Sequence, residues 1–110
     1  FDIVNHTSSL NKAQSVPNAD GSWTFVLSLK DPGVHNWIDT CGFRTGILTL
    51  RMAEFPGGRA EGKLSARSRV VALSRLEKEL PADTKWLSAA ERSRQLAERA
   101  AAYARRLPEA

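Results

Sequence analysis

The sequence predicts an α+β fold in which antiparallel strands come first along the chain and helices come last. Two observations support the strands: apolar and polar residues alternate over several short segments, and the turns between those segments contain Gly or Pro. A third observation supports the helices, because helix-start signals appear from residue 74 onward. We therefore expect residues 1–73 to form an incomplete antiparallel β portion and residues 74–110 a helical segment packed on it.

The clearest strand covers residues 22–29, whose alternating apolar residues on one face are Trp23, Phe25, Leu27 and Leu29. Asp20-Gly21 precedes it and is a strong hairpin signal, because Gly adopts a positive φ without steric cost. This turn predicts that residues 10–16 form the partner strand. The Asp-Pro-Gly sequence at residues 31–33 ends the strand with a second turn.

Two further strands are predicted downstream. One covers residues 46–52, with Leu48, Leu50 and Met52 alternating onto one side, and a Pro-Gly-Gly sequence at residues 56–58 follows it. The other candidate covers residues 64–73 and is polar at first and apolar at its end. Because short turns and no helix separate consecutive strands, neighbouring strands should be antiparallel.

Two capping boxes predict one short and one long helix. The Ser-Arg-Leu-Glu sequence at residues 74–77 begins the short helix, which must end before Pro81 because Pro cannot continue a helix. The Ser-Ala-Ala-Glu sequence at residues 88–91 begins the long helix, and strong helix formers continue to about residue 106. Its apolar residues form a narrow stripe, which predicts docking on a surface through Leu96, Ala100, Tyr103 and Leu107.

The composition describes one globular domain and excludes several classes of protein. A chain of 110 residues has room for one domain, and no apolar run reaches the roughly 18 residues of a membrane span. No signal peptide is visible, which favours a cytoplasmic location. The single cysteine excludes an internal disulfide and a multi-cysteine zinc site.

The charge is uneven along the chain. Residues 1–50 carry three cations and four acids, whereas residues 51–110 carry thirteen cations and eight acids. A basic second half is compatible with an anionic partner bound by the long helix. However, the helix places Arg92 and Arg99 near one another and Arg94 near Arg105, so no single cationic stripe forms. This pattern argues against nucleic-acid binding.

The loop of residues 31–43 holds the densest set of reactive and polar side chains, and loops on a scaffold often carry function. A nucleophile pair would join Cys41 to His35 or His6, with Asp39 or Asn36 as the orienting group. That interpretation requires His35, Asp39 and Cys41 to surround one cavity. The structural alternative has turns capped by the Asp residues, Trp37 in the core and Cys41 as a small buried apolar residue.

We assign no catalytic residue, metal or cofactor from the sequence. A metal site could draw on His6, His35, Asp31 and Asp39, but two distant His with scattered Asp do not form a ligand motif. The residues predicted to form a binding surface are His35, Asn36, Trp37 and Asp39.

Four segments, at residues 9–14, 20–24, 31–40 and 46–51, resemble the bacterial domain of unknown function 1214 family. The resemblance implies a jelly-roll-like antiparallel β-domain at the C-terminal end of a longer protein. Members of that family have no agreed catalytic residues, so the resemblance transfers none to this chain.

Together these features predict a binding or structural role within a larger bacterial protein, and an enzymatic role for this chain alone is not favoured. One alternative is part of an enzyme of carbohydrate or lipid metabolism with a pocket at the 31–43 loop. Another is binding of an anionic partner through the basic helix. The expected partner is the remainder of the longer polypeptide or a second copy, because absent strands would leave apolar strand faces uncovered.

Overall fold

The computed structural model describes residues 2–52, 56–58 and 64–106. It contains two strands, β1 (Val26–Ser28) and β2 (Trp37–Asp39), and two α-helices, α1 (Leu76–Glu79) and α2 (Ala89–Ala104). Single 3₁₀ turns lie at Lys12–Gln14, Pro56–Gly58 and Leu73–Arg75. The α+β class with a short and a long helix is as expected, but the described residues do not form an antiparallel jelly-roll sheet or a β-sandwich.

The two strands are parallel, which corrects the antiparallel arrangement expected from the sequence. Val26 is aligned with Trp37 and Ser28 with Asp39. The reason lies in the connection between them: the backbone of residues 33–35 pairs with residues 85–87, through bonds such as Leu87 N–H to the Gly33 carbonyl at 2.7 Å. Because residues 33–35 pair with residues 85–87, the connection runs away from β1 before β2 begins, and β2 then lies parallel to β1.

The strand expected at residues 10–16 contains a 3₁₀ turn instead. Asn11 accepts a hydrogen bond from the Gln14 N–H at 2.9 Å, and the Gln14 side chain accepts one from the Asn11 N–H at 3.0 Å. This local capping box satisfies backbone groups that a hairpin would otherwise have paired.

The turn before β1 forms, but it does not join two long strands. Gly21 has a φ of +86°, and its N–H donates to the Asn18 carbonyl at 3.0 Å. The Asn18 side chain also donates to the Thr24 hydroxyl at 2.8 Å, so side chains hold the strand entry. Only three of the eight residues predicted as a strand at 22–29 have strand pairing, and Phe25, Leu27 and Leu29 are exposed.

The strands expected at residues 46–52 and 64–73 are also absent from the described residues. Their backbone takes no strand pairing, and Leu73, the last residue of the second segment, begins the 3₁₀ turn that leads into α1. Many of their apolar side chains lie in solvent, with Ile47 at 95% and Val70 at 102% relative exposure. Apolar alternation thus predicted strands that find no partner in the part of the chain described.

The capping box predicted for α2 is confirmed. Ser88 Oγ accepts from the Glu91 N–H at 3.2 Å, and the Glu91 carboxylate accepts from the Ser88 N–H at 3.1 Å. The box predicted for α1 does not form, because a 3₁₀ turn leads into that helix and its N-cap, Arg75, makes no side-chain cap bond. The short helix ends at Glu79, before Pro81, as expected.

The interior is small and unusually polar. Among the described residues the buried apolar side chains are Val34, Trp37 and Leu76, and the buried polar residues are Thr7, Ser15, Asn36, Asp39, Arg92 and Arg99. The expected docking stripe of α2 is therefore revised: its buried residues are the two arginines, whereas Leu96, Ala100 and Tyr103 are half-buried. Leu107 lies outside the described residues. None of the helices described is long and apolar enough to cross a membrane.

Candidate functional site

The 31–43 loop divides into two groups of side chains that serve different contacts. Asn36 binds the backbone of neighbouring segments, and Arg92 of α2 contacts the Trp37 ring and the His35 carbonyl. Asp39 instead binds His6 of the N-terminal segment and the Cys41 N–H. The sequence analysis placed His35, Asn36, Trp37 and Asp39 in one candidate surface. The structure separates His35 from the Asp39–Cys41 group.

Asn36 is a buried link between backbone segments. Its Oδ1 accepts from the Val16 N–H at 2.9 Å, and its Nδ2 donates to the carbonyls of Val16 at 2.7 Å and Thr24 at 3.1 Å. The neighbouring His35 Nδ1 lies 3.0 Å from the same Oδ1. Since the amide is fully engaged with backbone, Asn36 is a structural residue rather than a free binding group.

Trp37 is buried as the structural interpretation of the loop expected. Its indole N–H donates to the Ser28 carbonyl at 3.1 Å. The Arg92 guanidinium carbon lies 5.2 Å from the ring centroid, within the range of a cation–π contact. Trp37 therefore positions α2 on the two strands and offers no face for ligand stacking.

Arg92 is the main polar contact between α2 and the loop. Its guanidinium binds both carboxylate oxygens of Asp31, at 3.0 and 3.1 Å, and donates to the backbone carbonyls of Val34 and His35. Burial alone would raise the pKa of Asp31, but hydrogen bonds from Arg92 and the Gly33 N–H, with the arginine charge, lower it below its ordinary value. This geometry fixes the loop conformation.

Arg99 makes a comparable contact with the N-terminal segment. It donates to the carbonyl of Ile3 at 2.8 Å and to the carbonyl of Ser9 at 2.9 Å. Sequence reasoning missed both buried arginines, although a signal was present. Arg92 and Arg99 stand seven residues apart, and Leu96 and Tyr103 fall on the same helical face.

A second cluster joins the loop to the N-terminal segment. His6 Nδ1 lies 2.7 Å from Asp39 Oδ2, and Asp39 Oδ1 accepts from the Cys41 N–H at 2.8 Å. One donor atom from each of these three side chains lies within 4.8 Å of the others. The sequence analysis named His6 as a possible partner of Cys41 and as a possible metal ligand. The structure shows that His6, rather than His35, contacts Asp39.

Cys41 occupies a strained turn within this cluster. It has a φ of +53° and is followed by Gly42 at +83°, while the Phe43 N–H donates to the Thr40 carbonyl at 3.0 Å. Positive φ at both central residues is the pattern of a type I′ turn. Desolvation, followed by the negative charge of Asp39, raises the pKa of the Cys41 thiol. A raised pKa favours the expectation that Cys41 is not a catalytic nucleophile, because the thiolate is the reactive form.

Two cavities lie near the 31–43 loop, and their volumes and lining residues differ from those expected of an enzyme pocket. His35 and Asn36 line a cavity of about 20 Å³, which has room for about one water molecule. A larger open groove of about 430 Å³ lies between Pro32, α1 and Trp86, and Glu77 is its one titratable side chain. Neither of these two spaces gathers His35, Asp39 and Cys41 together.

A separate surface feature is the apolar segment, which we define as residues 46–52. Its large apolar side chains are all at least 48% exposed, namely Ile47, Leu48, Leu50 and Met52. Residues 64–73 continue this character with exposed Leu64, Val70 and Leu73. Contiguous exposed apolar side chains of this kind are typical of interaction surfaces.

Comparisons with protein-family models, curated proteins and solved structures find no match for this chain. The resemblance to the domain of unknown function 1214 family therefore stays a hypothesis, and the jelly-roll fold that it implied is not the fold of the described residues.

Proposed function

We propose that this chain is a binding module with a structural role, and that its partner is a second copy of itself. The contact surface is the apolar segment of residues 46–52. The observation that carries this proposal is the exposure of its large apolar side chains, from 48% at Met52 to 95% at Ile47.

The sequence of the apolar segment suits backbone pairing between two copies. Leu48, Leu50 and Met52 alternate with Ile47, Thr49 and Arg51, so an extended conformation places three apolar side chains on one face. Its unpaired N–H and C=O groups are a template for an added strand. Full burial of such a side chain contributes about 1.5–3 kcal/mol, which is enough to favour association when several are buried together.

Self-pairing also suits the charges of the segment. In an antiparallel two-fold arrangement centred on Thr49, Leu48 faces Leu50 of the second copy and Ile47 faces Arg51. This register keeps the two Arg51 side chains away from each other, and like charges directly opposite would be unfavourable. The net charge of +4 still opposes association at long range, so added salt should strengthen the dimer.

The test is sedimentation velocity of the isolated chain over the micromolar range, at two salt concentrations. We expect a monomer–dimer equilibrium that a double variant, Leu48→Lys with Leu50→Lys, shifts to monomer. The matched control places the same charges on the exposed side of α2 as Ala97→Lys with Ala101→Lys, and it should leave the dimer intact. A wild-type monomer throughout the range, or a dimer unchanged by the Leu variants, would contradict the proposal. A monomer would instead favour a partner supplied by the remainder of a longer polypeptide.

The two other functions considered from the sequence receive less support. Arg92 and Arg99 are each only 6% exposed and bind protein groups, so Arg94 is the one exposed arginine of α2, and Arg105 and Arg106 follow its end. The cavity beside His35 and Asn36 is about 20 Å³, far below the volume that a metabolite occupies. The groove of about 430 Å³ beside Pro32 includes none of the predicted site residues of the loop. The assembly role is therefore the one that the described surface favours.

A further inference from the structure

We propose that His6, Asp39 and Cys41 form a binding site for one Zn²⁺ ion. The three residues come from the N-terminal segment, the end of β2 and the turn that follows it. Each supplies one donor atom, and the three donor atoms lie within 4.8 Å of one another. This inference is independent of the proposed dimer, because it uses none of the residues of the apolar segment.

The spacing of the donor atoms is close to that of a zinc site. Zinc binds nitrogen, oxygen and sulfur at about 2.0–2.3 Å in tetrahedral geometry, which separates pairs of donor atoms by about 3.4–3.6 Å. His6 Nδ1 and Asp39 Oδ2 are 2.7 Å apart. The pair therefore opens by less than about 1 Å to admit the ion, a change that a half-exposed histidine ring can make by rotation.

The fold holds two of the three ligands in place. Asp39 is 7% exposed, and its backbone N–H donates to the Thr7 carbonyl at 3.1 Å. Its Oδ1 accepts from the Cys41 N–H, which leaves Oδ2 directed at His6. This hydrogen bond also ties the Cys41 backbone to the carboxylate. Such supporting bonds orient metal ligands in known sites.

The chemistry of the donors selects zinc among common divalent ions. A thiolate and an imidazole suit zinc, whereas calcium and magnesium prefer oxygen ligands alone. On binding, the thiol loses its proton to solvent, and the thiolate and carboxylate charges balance the 2+ charge of the ion. Three protein ligands leave a fourth coordination position for water.

Two threonines lie next to these ligands in the sequence. Thr7 follows His6 in the chain and is 1% exposed, and Thr40 lies between Asp39 and Cys41. The buried hydroxyl oxygens of both threonines have no hydrogen-bond partner among the described residues.

The experiment is a calorimetric titration of the chain, carried without a polyhistidine tag, with zinc chloride. We expect one Zn²⁺ per chain with a dissociation constant in the micromolar range or tighter. His6→Gln should weaken binding at least about 100-fold, since loss of a mere supporting bond costs about 10–100-fold. His35→Gln is the matched control, because the chain has only two histidines, and it should bind zinc like the wild type.

Cobalt provides a second readout that identifies the sulfur ligand. With Co²⁺ in place of zinc, we expect a thiolate-to-metal charge-transfer band and the visible bands of a tetrahedral ion, and Cys41→Ser should abolish the charge-transfer band. Equal zinc affinity in His6→Gln and His35→Gln, or a cobalt spectrum without a thiolate band, would overturn the proposal. Far-UV circular dichroism of each variant verifies its fold, and Cys41→Ser still decides the question if His6→Gln does not fold.

Discussion

The two halves of the described molecule are held in contrasting ways. Residues 2–42, with α1 and α2, are tied by buried polar side chains that bind backbone carbonyls and amides across long sequence separations. Residues 46–52 and 64–73 are richer in apolar residues, yet most of their large apolar side chains are exposed. The described residues that form strands and the long helix are therefore those held by buried polar contacts, and not those with the most apolar sequence.

The physical reason is the shortage of apolar groups that the fold can bring together. Only three apolar side chains are buried among the described residues. In contrast, Asn36, Arg92 and Arg99 each join at least two backbone segments. Charged and amide donors to buried carbonyls are strong when fully engaged and costly when one partner is lost. This contrast gives the following predictions, from the largest expected effect to the smallest.

Arg92→Met should have the largest effect on stability. It removes the guanidinium that binds Asp31 and the Val34 and His35 carbonyls. Because the carbonyls lose a charged donor, the free energy of unfolding should fall by about 3–4 kcal/mol. Urea denaturation followed by circular dichroism measures this. The control Arg94→Met, two residues away and exposed, should change stability by less than about 0.5 kcal/mol. Equal effects at the two positions would show that the buried contacts do not stabilise α2.

The second prediction compares the loss of stability in Leu76→Ala, which truncates a buried apolar side chain, with the loss on truncating Leu64, an exposed one. Leu76 is 6% exposed, and its truncation should cost about 2–3 kcal/mol through lost burial and the cavity left behind. The same substitution at Leu64, which is 51% exposed, should cost less than about 0.5 kcal/mol. The measurement is again urea denaturation. A cost at Leu64 similar to that at Leu76 would mean that residues 64–73 pack against a surface in solution.

Ser88→Ala tests the N-cap of α2, which belongs to the part of the molecule held by buried polar contacts. Loss of the N-cap bond to the Glu91 N–H should lower stability by about 1 kcal/mol. Ser93→Ala, on the exposed middle of α2, should be neutral or slightly stabilising because Ala is the better helix former. Thermal unfolding followed at a helix-sensitive wavelength compares the two. A loss at Ser93 as large as at Ser88 would contradict the capping role.

The smallest expected effect is the pH dependence contributed by Asp31. Its pKa is lowered in the folded state, so its contribution to stability is fully present above the unfolded value of about 3.9 and is lost as pH falls through the folded value. The side chain is 42% exposed, so solvent screening keeps the effect modest. Comparing urea denaturation at about pH 7 and about pH 3, Asp31→Asn should lose less stability on acidification than the wild type. An equal loss in both proteins would exclude the ion pair with Arg92 as its source.

Part of the candidate site was within reach of the sequence. The sequence analysis singled out the 31–43 loop, and Asp39 and Cys41 from that loop lie together with His6 in the structure. His35 and Asn36 were chosen for their residue types, yet Asn36 serves the backbone and His35 lies with it. Residue type alone does not reveal which polar side chains bind buried backbone carbonyls and amides in the folded protein.

The sequence by itself determined the features that depend on a few consecutive residues. These are the capping box of α2, the end of α1 before Pro81 and the glycine turn at Gly21. Each is decided by bonds or steric limits that span four residues or fewer, so neighbouring residues suffice to specify it.

Tertiary structure decided the parallel pairing of β1 with β2, the burial of Arg92 and Arg99 and the meeting of His6 with Asp39, 33 positions away. Apolar alternation favours a strand only when another strand completes its hydrogen bonds and covers its face. Residues 46–52 have the pattern but no such partner among the described residues, so they form no strand there. Long-range contacts select among the conformations that the local sequence allows, and in this chain those contacts are mainly hydrogen bonds from buried polar side chains.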